Sequence, residues 1–189
     1  MKFFDATNRP EGLKCVMIYR QHILDKTDEH LVASILAQDV TLDWSGGVVI
    51  DIEGTEQQAL KEGYVKLFIS LLERVRSLMP NAKVSFYGLP FTPWNIIEPL
   101  EWIAEQMMYV KLIKQLDFLA PSLYWAWLDG PTDATHRPML DYLVRAETVV
   151  FLCGNAKPVH PFIMNQVHSH GDPTIAHLPF PEEQFKQMC

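Results

Sequence analysis

The chain has 189 residues, 48% of them apolar, and its 23 acidic against 16 basic side chains give a formal net charge of −7. That is enough chain for one well-buried domain over residues 1–189 and too little for two comfortable ones. The acidic balance, without a basic run anywhere, argues against a nucleic-acid surface, which needs clustered Lys and Arg to displace counterions. No apolar run is long enough to span a bilayer.

Residues 1–10 lack the apolar core of a secretory signal. Cys15, Cys153 and Cys189 are odd in number and show no C-x-x-C spacing, so they read as free thiols. Free thiols favour a reducing, cytoplasmic setting; a secreted protein without its signal would look the same, so localisation stays open.

In chain order, the apolar run Cys15-Val16-Met17-Ile18-Tyr19 is a first strand. Residues 28–37 place apolar side chains at helical spacing, with Asp28 and Glu29 in the first turn where the helix dipole favours acids. A turn over 43–47 leads into Gly46-Gly47-Val48-Val49-Ile50-Asp51-Ile52-Glu53-Gly54, a β-branched run that delivers two carboxylates to its C-terminal end. Residues 56–79 carry Leu60, Tyr64, Leu67, Phe68, Leu71, Leu72, Val75 and Leu78 on one stripe, predicting a helix stopped by Pro80-Asn81.

A strand over 83–90, ended by Gly88 and Pro90, leads through a loop over 91–95 to a helix spanning about 99–116. Residues 116–124 form another strand-like run, followed by an aromatic loop over 125–131 and a short amphipathic helix over 138–147. Residues 148–152 suit either the last turn of that helix or a short strand. Residues 157–164 read as a strand entered through prolines, and residues 181–188 open a helix with proline and two acids. Such a helix would precede a last strand, which the sequence does not contain.

The strand ends Asp51, Tyr87, Tyr124 and Phe162 stand 36, 37 and 38 residues apart, without any repeat in the residues themselves. That period is expected of successive βα units, hence an α/β fold with parallel strands and right-handed crossover helices. No Gly-rich phosphate loop follows the first strand, which disfavours a dinucleotide-binding sheet. The predicted architecture is therefore a (β/α) TIM-type barrel, incomplete or truncated, because five units are counted where a full barrel has eight.

Alternation puts Asp51 and Glu53 on one face, about 7 Å apart at their Cα atoms, with Ile50 and Ile52 on the other. Two buried carboxylates are costly unless partnered, so they either form structural ion pairs or work as an acid/base pair. In such a pair the ionised member raises its neighbour's pKa; the deeper Asp51 suits the charged partner and Glu53 the proton donor. Tyr87 and Tyr124 end the next two strands, where a barrel places functional groups, although either also suits a core aromatic.

These residues also carry a resemblance. Val49-Ile50-Asp51-Ile52-Glu53, Phe86-Tyr87-Gly88-Leu89-Pro90 and Pro121-Ser122-Leu123-Tyr124 resemble, in the same order, three strand-end motifs of the hyaluronidase-type glycoside hydrolases. The resemblance covers roughly the central third of the chain. It implies a (β/α) barrel that cleaves N-acetylhexosaminidic bonds with retention and substrate assistance. Glu53 then matches the acid/base, Asp51 the carboxylate that orients the acetamido group, and Tyr87 and Tyr124 the tyrosines around the reacting sugar. Where that family has a tryptophan between the acids this chain has Ile52, and Gly54-Thr55 follow in place of an acidic, tryptophan-bearing continuation.

Trp94, Trp125 and Trp127 follow the same strands and suit stacking on sugar rings; packing or an oligomer contact suits them equally. Asn165, after the last strand, is a candidate hydrogen-bonding partner for a polar ligand. His160, His168, His170 and His177 lack convincing ligand spacing, so no metal or other cofactor is expected, and Cys153 reads as an inert buried thiol. The expected function is hydrolysis of an N-acetylhexosamine-containing oligo- or polysaccharide. The alternative is a weakly active or inactive barrel that binds a glycan or a protein partner, and a third reading uses Asp51 and Glu53 to hold a divalent metal.

Overall fold

The structure, a computed structural model, describes residues 15–52, 62–90, 99–123, 144, 146–154, 157–160 and 162–163. Strand β1 (Cys15–Tyr19) is followed by a single helical turn, α1 (Arg20–Ile23), and by α2 (Asp28–Leu36). Strand β2 (Gly47–Asp51) comes next, then α3 (Glu62–Leu78), β3 (Lys83–Phe86), α4 (Pro99–Met107) and α5 (Val110–Ile113). Strand β4 (Ser122–Leu123), a helix α6 over 146–152 and strand β5 (Phe162–Ile163) complete the described elements.

β1, β2 and β3 form a parallel sheet in that order, with Met17 opposite Val49 and Val49 opposite Ser85. The ladder runs on to Tyr87, whose N–H donates to the Ile50 carbonyl at 2.9 Å. β4 pairs with β5, again in parallel; a bridge from Leu119 to Val159 extends that pairing, and a bridge from Tyr87 to Ala120 joins the pair to β3. Five parallel strand segments thus lie side by side in chain order, as the 36 to 38 residue period predicts. The described residues do not show a closed barrel.

The two faces of the sheet differ in what covers them. Val16, Ile18, Val48, Ile50, Ile52, Val84 and Phe86 face the helices, where Leu31 and Ile35 of α2, Phe68, Leu71, Leu72 and Val75 of α3, and Trp102 of α4 complete the main core. Phe68 meets Phe86 edge to face at 4.9 Å, a favourable aromatic geometry. The opposite, inner face carries a smaller cluster of Val49, Phe118 and Ala120 with Cys15, Met17 and Tyr87. Burial on both faces explains why β2 is an almost unbroken apolar run.

Polar side chains stitch the layers together. Thr27 caps α2 by accepting from the His30 N–H, and Arg74 of α3 reaches Asp28 at 2.6 Å as well as the Ile23 and Lys26 carbonyls. At the N-terminal ends of the strands, Asp117 accepts from the Val84 N–H and from Arg76, both at 2.9 Å. Lys157 reaches the carbonyls of Lys114 and Leu116. On the outer edge of β1 the Gln38 carboxamide replaces a neighbouring strand's peptide group: it accepts from Met17 N–H and donates to Met17 C=O, each at 2.9 Å.

One expectation needs correction, and one open choice is decided. The helix foreseen over 99–116 is broken at Met108-Tyr109, where the N–H groups of both residues bond three residues back, to Glu105 and Gln106, and Tyr109 leaves helical ψ at 6°. The turn lets Tyr109, Leu112 and Ile113 all enter the core. Residues 148–152 belong to helix α6 and not to a strand; Cys153 closes that helix with a bond to the Val149 carbonyl. The start of the helix foreseen from residue 56, the helix expected over 138–147 apart from its last residues, and the one over 181–188 lie outside the described residues.

Candidate functional site

β2 ends at Asp51 because the β-branched run holds an extended backbone until the carboxylate. Asp51 follows Val49 on the inner face by alternation, and it is only 9% exposed. Register places it between Tyr19 at the end of β1 and Tyr87 at the end of β3. Adjacent strands run about 4.8 Å apart, so the three residues form one row across the C-terminal ends of the sheet. Gly88, at φ 75°, turns the chain away immediately after Tyr87, a backbone state open to glycine at little cost.

β4 adds a fourth member. Ser122 is 5% exposed, and its Oγ lies 3.1 Å from the Tyr87 hydroxyl. The backbone supports this meeting: Tyr87 bridges to Ala120, and the Gly88 N–H donates to the Ala120 carbonyl at 2.8 Å. A nearly buried acid, a tyrosine hydroxyl and a serine hydroxyl thus gather where parallel α/β sheets carry their ligand sites.

Of the residues singled out from the sequence, the structure brings Asp51 and Tyr87 together. Glu53, Tyr124, Trp94, Trp125, Trp127 and Asn165 lie outside the described residues, as do His168, His170 and His177. His160 is described: it is exposed, donates its N–H to the Leu119 carbonyl, and sets its ring edge-on to Phe118 at 5.4 Å. That is packing, the plainer of the two readings open to it. Cys153 is buried, and burial pushes its thiol up, away from the thiolate a nucleophile needs, against the weaker pull of Lys114 and Lys157.

Sequence reasoning did not single out Tyr19 or Ser122. Tyr19 was legible in principle, because β1 and β2 are both apolar runs that end in one polar-tipped residue. Its ring is 42% exposed and meets His22 edge-on at 5.5 Å, so it forms the open rim of the row. Ser122 lies within Pro121-Ser122-Leu123-Tyr124 but carries no signal of its own until the strand pairing sets it against Tyr87. Among the described residues no group of three or more His, Cys, Asp or Glu could hold a metal ion, and no helix is long and apolar enough to cross a membrane.

No family model matches the chain, and no curated protein matches it by sequence. Among solved structures it is similar to bee venom hyaluronidase in complex with a hyaluronic acid tetramer, over 98% of this chain and 76% of that one, with a TM-score of 0.70 at 12% identity. A monoclinic crystal structure of bee venom hyaluronidase aligns over 94% of this chain and 74% of that one, with a TM-score of 0.69 at 13% identity. At such identities the likeness is one of fold. The chain has a hyaluronidase-like mixed α/β fold.

Proposed function

We propose that this chain is a glycoside hydrolase that cleaves an N-acetylhexosamine-containing glycan by acid/base catalysis with substrate assistance, using residues 1–189 as a single domain. The observation that carries the reading is the placement of the nearly buried Asp51 beside Tyr87 at the C-terminal strand ends of a hyaluronidase-like fold. Hyaluronic acid, the ligand in one bee venom structure, belongs to this substrate class.

In the proposed reaction Glu53 protonates the glycosidic oxygen as its bond to the anomeric carbon breaks. The substrate's own acetamido oxygen attacks that carbon and forms a cyclic oxazolinium ion, whose positive charge the Asp51 carboxylate balances. Tyr87 and Tyr124 hold the acetamido group in line, so the attack costs little orientation entropy. Water then opens the ring at the anomeric carbon while Glu53 takes back a proton, which restores the acetamide with net retention. Trp94, Trp125 and Trp127 supply stacking surfaces for flanking sugars, and Asn165 a hydrogen bond.

The test is turnover of hyaluronan and chito-oligosaccharides by the intact chain and by Glu53→Gln. Turnover that falls by about 10²-fold or more in the variant supports the assignment. Undiminished turnover in Glu53→Gln overturns it, and saturable glycan binding without hydrolysis by the intact chain leaves a glycan-binding barrel in its place.

A further inference from the structure

Ser122 opens β4 with its side chain on the inner face, two residues beyond Ala120, the bridge partner of Tyr87. It is nearly buried, and its hydroxyl stands at hydrogen-bond distance, 3.1 Å, from the Tyr87 hydroxyl. A phenol swings about two bonds, and its O–H prefers to lie in the ring plane on either of two sides, so without a fixed neighbour the hydroxyl points equally well in two directions. A serine hydroxyl both donates and accepts; paired with one side of the phenol oxygen, it leaves the other side committed to one direction. The sheet makes the pairing rigid, because Tyr87 and Ser122 sit on strands locked by the Tyr87–Ala120 bridge and the 2.8 Å bond from Gly88 N–H to Ala120 C=O. Alanine would fill nearly the same space, so packing alone does not call for the hydroxyl.

We propose that Ser122 is a positioning residue for the candidate site: its hydroxyl fixes the orientation of the Tyr87 phenol, which in turn holds the substrate's acetamido group beside Asp51. The proposal rests on the hydrolase reading for its effect on catalysis, but the orientation of Tyr87 is a property of the free protein. Ser122 touches Tyr87 and acts on the reaction through it. The deletion of one hydroxyl that aligns a reacting group lowers kcat by about tenfold, while KM moves by about twofold or less, since flanking sugars carry the binding.

The test combines kinetics with a spectroscopic readout. Ser122→Ala, Ser122→Thr, Tyr87→Phe and the double variant Tyr87→Phe/Ser122→Ala are assayed on a hyaluronan oligosaccharide. The Tyr87 ring Cζ resonance is followed by NMR in the intact chain and both serine variants, and is assigned by its loss in Tyr87→Phe. The expected results are a kcat loss in Ser122→Ala, recovery in Ser122→Thr, and a double variant no slower than Tyr87→Phe alone. The Cζ resonance moves in Ser122→Ala and returns in Ser122→Thr. An unmoved Cζ resonance overturns the proposal whatever the kinetics show, and so does a Ser122→Ala loss that multiplies with that of Tyr87→Phe. If the intact chain turns over no glycan while the resonance moves as expected, the hydrolase reading fails and the positioning of Tyr87 by Ser122 stands.

Discussion

Replacing Asp117 with alanine removes the acceptor on which the N-terminal ends of two strands depend. Its carboxylate takes the N–H of Val84, which is fully buried, and the Arg76 guanidinium, and its own N–H donates to the Val84 carbonyl at 3.1 Å. In Asp117→Ala the Val84 N–H is left buried without that acceptor, a loss of about 1–3 kcal/mol. The Arg76 pair, its side chains 34% and 28% exposed, adds at most about 1 kcal/mol in a solvent-screened setting. Together, about 1–4 kcal/mol lowers the melting temperature of a chain this size by about 2–16 °C. Asp117→Asn keeps an oxygen for Val84 and loses only the charge, so it costs about 1 kcal/mol.

The same residue fixes a pH dependence. Burial by itself would raise the Asp117 carboxyl, but the bonds from Val84 and Arg76, with the charges of Arg76 and Lys83, hold it below the usual 3.8. A carboxyl depressed in the folded state contributes stability above its unfolded pKa and loses it as pH falls through the folded value. The stability difference between the intact chain and Asp117→Asn is therefore expected to be full near pH 6 and to shrink below about pH 4. Thermal melts of the three proteins from pH 7 to pH 3 check both points. An alanine variant within about 0.5 kcal/mol of the intact chain, or a difference constant down to pH 3, would refute this account of the strand ends.

Two further perturbations follow. A Cβ on Gly46 would stand 2.4 Å from the Trp44 ring, whereas one on Gly47 would meet Cys15 Sγ and Phe118 Cζ at the ordinary distances of 3.6 and 3.7 Å. Urea titration should show Gly46→Ala destabilised by about 1–3 kcal/mol and Gly47→Ala near neutral; the reverse order contradicts the packing. Gln38→Ala strips the edge of β1 of its surrogate strand, so amide exchange at Met17 should accelerate while Val49 in the centre of the sheet stays protected.

The sequence made the strands legible where a single period ruled them. The β-branched run from Val48 to Asp51 and the regular spacing to Tyr87 suffice to place the acid and the tyrosine at the same end of parallel neighbours. The break at Met108-Tyr109 was not legible, because Leu112, Ile113 and Leu116 keep apolar spacing through it and no proline or glycine marks it. Residues 148–152 are too short a run for length to separate strand from helix. The Gln38 carboxamide meets Met17 across 21 residues, and Ser122 meets Tyr87 across 35. Contacts of that kind depend on which strands pair and leave no local trace. The candidate site was legible as an acid and a tyrosine, and what pairing added was the row from Tyr19 to Tyr87 with Ser122 above it.

In the proposed reaction Asp51 and Glu53 together cleave an N-acetylhexosaminide with retention. The most direct measurement is proton NMR of a hyaluronan oligosaccharide during the first minutes of incubation with the intact chain and with Glu53→Gln. New reducing ends are expected to appear first as the β-anomer, and about 10²-fold or more slowly with the variant. Reducing ends that appear first as the α-anomer, or that form equally with Glu53→Gln, would contradict that reaction.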